Sequence, residues 1–196
     1  MLTVETISAG YGRLQILNDI SMQAAEKEIT VIVGPNGSGK STLLKTIAGL
    51  TSIYHGSVSL DGSKISGLPA HEIAKRGLAY LPQTESVFTQ LTVSENFKMA
   101  GYTVSDAEFD SRLKTGLDMF PQLSNYMKSK AQNLSGGERQ MVAMTMALIR
   151  KPKVIMLDEP TANLSPKLAG EVLRKVAELP TTLGLTVLLV EQNAKK

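Results

Sequence analysis

The chain has 196 residues, 42% of them hydrophobic and 20% charged, enough for one globular domain with a substantial core and a small inserted subdomain. Its net charge of +3 is small and its Lys and Arg are interleaved with acids, which leaves no basis for nucleic-acid binding. There is no cysteine, hence no disulfide framework or Cys-based metal site, and no run of about 18 apolar residues that could span a membrane.

In chain order, residues 2–8 and 16–23 mix apolar and polar positions and are predicted as strands of a peripheral antiparallel sheet, joined through Gly10-Tyr11-Gly12. Val31-Ile32-Val33, Val154-Ile155-Met156-Leu157 and residues 186–190 are near-continuous apolar runs, the pattern of parallel strands buried on both faces of an α/β fold. Thr92-x-x-Glu95, Ser105-x-x-Glu108 and Ser135-x-x-Glu138 fit the capping box, and Ser165-Pro166 fits an N-cap followed by proline. These place helix starts at about Val93, Asp106, Gly136 and Pro166. Residues 84–150 hold three of these helices and no clear central strand. They are expected to form a helical subdomain inserted into a single nucleotide-binding α/β core made by residues 1–83 and 151–196.

Gly34-Pro35-Asn36-Gly37-Ser38-Gly39-Lys40-Ser41 matches G-x-x-x-x-G-K-[ST], with an apolar strand before it and a helix opening at Thr42 after it. Glycines let the backbone curl its N–H groups around phosphate oxygens, and the helix N-terminus adds a positive dipole end. The motif assigns Lys40 to the β- and γ-phosphates of a nucleoside triphosphate and the Ser41 hydroxyl to Mg²⁺. A chance match in a chain of this length arises on the order of 1% of the time, and the flanking elements lower that further.

The run ending in Asp158-Glu159 delivers two carboxylates to the carboxyl edge of a buried strand, where ligands bind in α/β sheets. Asp158 is assigned to the metal, directly or through water, and Glu159 to an attacking water as general base. Alone, a strand ending in acids is equally well a solvated strand end; its pairing with the loop at 34–41 favours chemistry.

Leu134-Ser135-Gly136-Gly137-Glu138 is a capped helix start, but two glycines in a first turn cost roughly 1 kcal/mol each against alanine. Close approach of another backbone or a phosphate is a reason to keep them. Lys40 already faces the γ-phosphate of its own nucleotide, so a second phosphate site on the same chain makes sense if it serves another chain's nucleotide.

Taken in order, the loop at 34–41, Gln83, the LSGGE stretch and Asp158-Glu159 resemble the ATP-binding subunits of ABC transporters over essentially the whole chain. The resemblance implies a P-loop NTPase (RecA-like) core with a mixed or parallel sheet, and a dimer with a second ABC ATPase subunit, identical or paralogous. In that dimer each ATP lies between one phosphate loop and the partner's signature, so that Ser135, Gly136 and Gly137 contact ATP in trans. Tyr11 resembles the aromatic residue that stacks on adenine. Gln83 resembles the glutamine that touches Mg²⁺ and the water and hinges the helical subdomain. Residues 86–91 would form part of a groove receiving a membrane permease. The resemblance also implies a cytoplasmic protein, peripheral on the inner face of the membrane through permease subunits, with a substrate-binding protein engaged indirectly.

Tyr11-Gly12, Thr92-Val93-Ser94-Glu95-Asn96, Leu164-Ser165-Pro166 and Val190-Glu191-Gln192-Asn193-Ala194 are similar to the branched-chain amino-acid importer subfamily, although that subfamily often carries Glu at the position of Gln83. Two positions depart from the commonest family pattern: Ser165 stands where many members have Asp, and Gln192 stands where most have the switch histidine. Gln192 can donate to a γ-phosphate but cannot titrate near neutrality. Family members continue past the switch position with further strands, so the core sheet is expected to carry an unprotected edge after Lys196. Other readings are the ATPase of a lipid or lipopolysaccharide exporter, a non-transport ABC ATPase, and a P-loop domain that binds ATP without turnover. His55 and His71 read as surface residues in turn-like or helix-start segments, Met141, Met144 and Met146 as core packing, and Lys195-Lys196 as an uninformative basic end.

Overall fold

The computed structural model describes residues 1–84 and 86–192, so Asn193, Ala194 and the Lys195-Lys196 pair lie outside the described residues. Strands β1 (Leu2–Tyr11) and β2 (Leu14–Ala24) form an antiparallel pair with Leu2 opposite Ala24. β4 (Ser52–Leu60) and β5 (Ser63–Lys64) complete that sheet in the order β2-β1-β4-β5. A second sheet, parallel throughout, has the order β3-β8-β7-β6, from β3 (Ile29–Val33), β6 (Leu78–Leu81), β7 (Val154–Asp158) and β8 (Thr186–Glu191). The helices are α1 (Lys40–Ile47), α2 (Ala70–Lys75), α3 (Val93–Ala100), α4 (Asp106–Met119), α5 (Gly136–Ile149) and α6 (Pro166–Leu183).

Two cores flank the parallel sheet, and the alternation of strand side chains assigns residues to each. Leu78, Val154, Met156, Leu188 and Val190 face α1 and the antiparallel sheet, packing with Leu44, Ile47, Val4 and Ile7. Leu81, Ile155, Leu157, Val187 and Leu189 face the other way, onto Phe97 of α3, Val142, Met144 and Leu148 of α5, and Val172 and Val176 of α6. β7 and β8 are buried on both faces, as their apolar runs require. Met141 and Met144 are buried and Met146 packs against the same core, in line with their reading as packing residues.

Several expectations need correction. β3 is not buried on both faces: Val31 is 50% and Val33 46% exposed. β3 lies at an edge of the described sheet with only β8 beside it. The box at Ser105 is incomplete. Thr92 and Ser135 cap reciprocally with Glu95 and Glu138, whereas the Ser105 hydroxyl only donates to the Glu108 carboxylate, at 3.2 Å. His55 sits within β4 and not in a turn, although it is exposed as expected; His71 is also exposed, at the start of α2. β6 stands beside β7 at the centre of the site yet is four residues long, too short to announce itself by pattern.

Candidate phosphate and carboxylate site

The carboxyl ends of β3 and β7 meet the start of α1, and every element of the site follows from that junction. After Val33 the loop turns sharply, with φ of 81° at Gly37 and 91° at Gly39, a region that L side chains enter at a cost. α1 therefore begins at Lys40 on a left-handed Gly39 and has no side-chain cap, leaving its first-turn N–H groups open to an anion. Lys40 is buried in the loop. Its Nζ donates to the carbonyls of Gly34 at 2.7 Å and Pro35 at 3.0 Å and stands 3.5 Å from Glu159 Oε1. The ammonium is thus held where a phosphate oxygen could replace the carbonyls.

Asp158 is 3% exposed, and both of its oxygens are satisfied. The Ser41 hydroxyl donates to Oδ1 at 2.9 Å and the Tyr80 hydroxyl to Oδ2 at 3.1 Å. Burial, and then the Asp158 charge, push the Tyr80 phenol well above its ordinary pKa, so it remains a donor. Glu159 follows with φ of 46°, a left-handed conformation unusual outside glycine and characteristic of residues whose placement is over-determined by their surroundings. Its N–H donates to Val190 O at 2.9 Å, and its Oε2 accepts from Gln83 Nε2 at 3.4 Å. On the neighbouring strand the buried Glu191 accepts from Thr161 at 2.7 Å, tying the loop after Glu159 to the end of β8.

A cleft of about 400 Å³ is lined by Asn36, Gly37, Gly39, Lys40, Ser41, Thr42, Gln83 and Glu159, together with Ile16 of β2. Nominated residues from the phosphate loop, Gln83 and Glu159 therefore converge, whereas Gly34, Pro35, Ser38 and Asp158 do not line the cleft, Asp158 joining it through its bond to Ser41. Tyr11 lies at the exposed end of β1 and does not line the cleft; Ile16 does, and no motif marked it. Gln192, exposed just after β8, and Ser135 to Gly137 at the start of α5 are not among the lining residues either. The signature glycines differ from one another. Gly136 is exposed, while Gly137 is buried, and a Cβ there would sit 3.2 Å from Leu168. A small residue at 137 therefore also suits close packing on α6 within the same chain. Ser165 caps α6, accepting from the Leu168 N–H at 3.4 Å. A larger cleft of about 920 Å³ lies at the opposite ends of the parallel strands, beside α4, and contains none of the nucleotide-motif residues.

The ABC transporter family model matches residues 17–162, which spans the phosphate loop, Gln83, the signature and Asp158-Glu159. The chain belongs to the ABC transporter family. As such it is an ATP-binding and ATP-hydrolysing transporter subunit, and the importer subfamily expected from its sequence is supported by its relatives. It is 53% identical over its whole length to a probable branched-chain amino acid transport ATP-binding protein LivF of Archaeoglobus fulgidus, covering 83% of that protein. It is 37% identical, covering 84%, to the high-affinity branched-chain amino acid transport ATP-binding protein BraG of Pseudomonas aeruginosa. The lipopolysaccharide export ATP-binding protein LptB of Haemophilus influenzae is 34% identical, with 82% covered. Among solved ABC cassettes, MJ1267 superposes with a TM-score of 0.89 at 29% identity, over 100% of this chain and 82% of that one. The cassette MJ0796, solved as a dimer in a post-hydrolysis state with ADP and Pi, gives 0.84 at 27% identity, over 98% and 88%.

Proposed function

We propose that this chain powers the import of branched-chain amino acids, working as a pair of ABC cassettes beneath a permease on the cytoplasmic face of the membrane. Identity of 53% along the entire chain to a LivF-type protein carries the substrate class. The cleft at Lys40, Ser41 and Glu159, with Asp158 bonded behind Ser41, supports hydrolysis there.

ATP supplies the phosphoryl group, and Mg²⁺ supplies charge neutralisation at its oxygens. The residues present fit both. A hydroxyl and a carboxylate 2.9 Å apart, Ser41 and Asp158, are hard oxygen donors of the kind Mg²⁺ takes beside phosphate, with the Gln83 amide near at hand. Residues 34–42 and the open end of α1 hold phosphate, and Lys40 offers a desolvated cation. Glu159 stands at the cleft with Gln83 Nε2 at 3.4 Å and Lys40 Nζ at 3.5 Å from its carboxylate oxygens. It is suited to orient a water and take its proton, while Gln83 steadies the carboxylate. Ser135, Gly136 and Gly137 complete the site of the other cassette. Tyr11 and Gln192 serve at the adenine and the γ-phosphate once the two chains close.

The permease surface is assigned to the groove lined by Leu50, Ile73, Pro82, Ser86, Phe88 and Met99, where Phe88 and Met99 are each about half exposed. Phe88→Asp is expected to leave ATP binding by the isolated chain intact and to abolish co-purification with permease subunits; retained assembly would move the contact elsewhere. For the substrate, ATP turnover of the complete transporter in proteoliposomes should rise several-fold with leucine and its binding protein. Stimulation by lipopolysaccharide instead would favour the exporter reading, which the LptB relatives keep in view.

A further inference from the structure

Asp158 has a second partner that none of the nucleotide motifs accounts for. In the parallel ladder Tyr80 of β6 pairs with Met156 of β7, so Asp158, two residues further along β7, projects from the same face as Tyr80. That face looks onto α1, which carries Ser41. Ser41 and Tyr80 therefore reach the carboxylate from different elements, one hydroxyl to each oxygen.

The two contacts are not equivalent. The Ser41 hydroxyl can turn a lone pair toward a cation while still donating its proton to Oδ1. The Tyr80 ring is packed against the core shared by Met156 and Leu188, and its hydroxyl is a donor fixed by that packing. A carboxylate is otherwise broadly free about its last torsion, and a buried one with an unpaired oxygen carries a desolvation penalty.

We propose that Tyr80 is a positioning residue for Asp158: its phenol pins Oδ2 so that Oδ1, beside Ser41, is held ready for a divalent cation. This rests on the reading of Asp158 as the carboxylate on the metal side. The same Tyr80 also lines the groove assigned to the permease, so one side chain touches both the docking surface and the metal carboxylate.

The test uses the purified chain carrying Glu159→Gln, so that ATP persists, with Mn²⁺ as the probe read by electron paramagnetic resonance. Adding Tyr80→Phe keeps the ring and removes the donor. Mn²⁺ affinity in the presence of ATP should fall about tenfold, with ATP binding in EDTA and the melting temperature unchanged. Asp158→Asn on the same background is the reference. If Asp158→Asn loses Mn²⁺ while Tyr80→Phe binds as its parent does, Tyr80 is a packing residue and the proposal is overturned. If neither loses affinity, the metal role of Asp158 fails and the proposal fails with it. A lowered melting temperature in Tyr80→Phe without a change in Mn²⁺ affinity also overturns it.

Discussion

Glu159→Gln is expected to lower ATP turnover by about 100- to 1,000-fold while ATP still binds. The change keeps size and shape and removes the negative charge, and with it the ability to take a proton. The left-handed backbone at Glu159, the Val190 carbonyl that holds its N–H, and the Gln83 amide at 3.4 Å all survive it. The Lys40 ammonium at 3.5 Å loses a charged neighbour and remains on the Gly34 and Pro35 carbonyls, so the phosphate loop is undisturbed. Single-turnover measurements on the complete transporter separate binding from chemistry. Turnover within about threefold of the parent would remove Glu159 from the role of base.

The second large effect concerns the contact between chains. The cleft of one chain does not include Ser135, Gly136 or Gly137, in keeping with the proposal that the signature meets the ATP of a second cassette, identical or paralogous. Ser135→Arg in the Glu159→Gln background should weaken ATP-dependent dimerisation by about 100-fold, the order expected for disrupting a central contact in a desolvated interface. The monomer tolerates the change, since Ser135 is exposed and loses only its side-chain cap, worth about 1 kcal/mol. Sedimentation of the two variants with and without ATP reads the result. Dimers of equal strength in both would sink the sandwich arrangement.

Much of this site is legible in the residues because its chemistry is local. The curl at Gly37 and Gly39, Lys40 and Ser41 at the head of α1, and two acids at the end of an apolar strand each lie within a few consecutive positions. The helix starts at Val93, Gly136 and Pro166 were equally accessible, since a cap is decided by side chains three residues apart. What the sequence does not disclose is non-local. Leu78 pairs with Val154 across most of the helical stretch, and without that pairing the short β6 and its Tyr80 have no visible role. Ile16 reaches the cleft because β2 folds against the phosphate loop, where a Cβ on Gly39 would lie 3.0 Å from Leu17. Gly137 illustrates the opposite hazard. Its smallness has a neighbour in the same chain, Leu168, which no pattern near the signature announces.

The sharing of one core between the parallel sheet and α3, α5 and α6 bears on how this protein could have diversified. Ile155 and Leu157 alternate with the residues that lead to Asp158, and they are covered by Phe97, Val142 and Met144. The inserted helices are therefore a roof over the strand that ends in Asp158 and could not be lifted off as a tradable module. Any substitution that re-tilts that roof to suit a different permease also leans on the strand beneath it. Exposed positions such as Phe88, Met99 and Tyr102 are where the outer surface can be recarved without moving that strand.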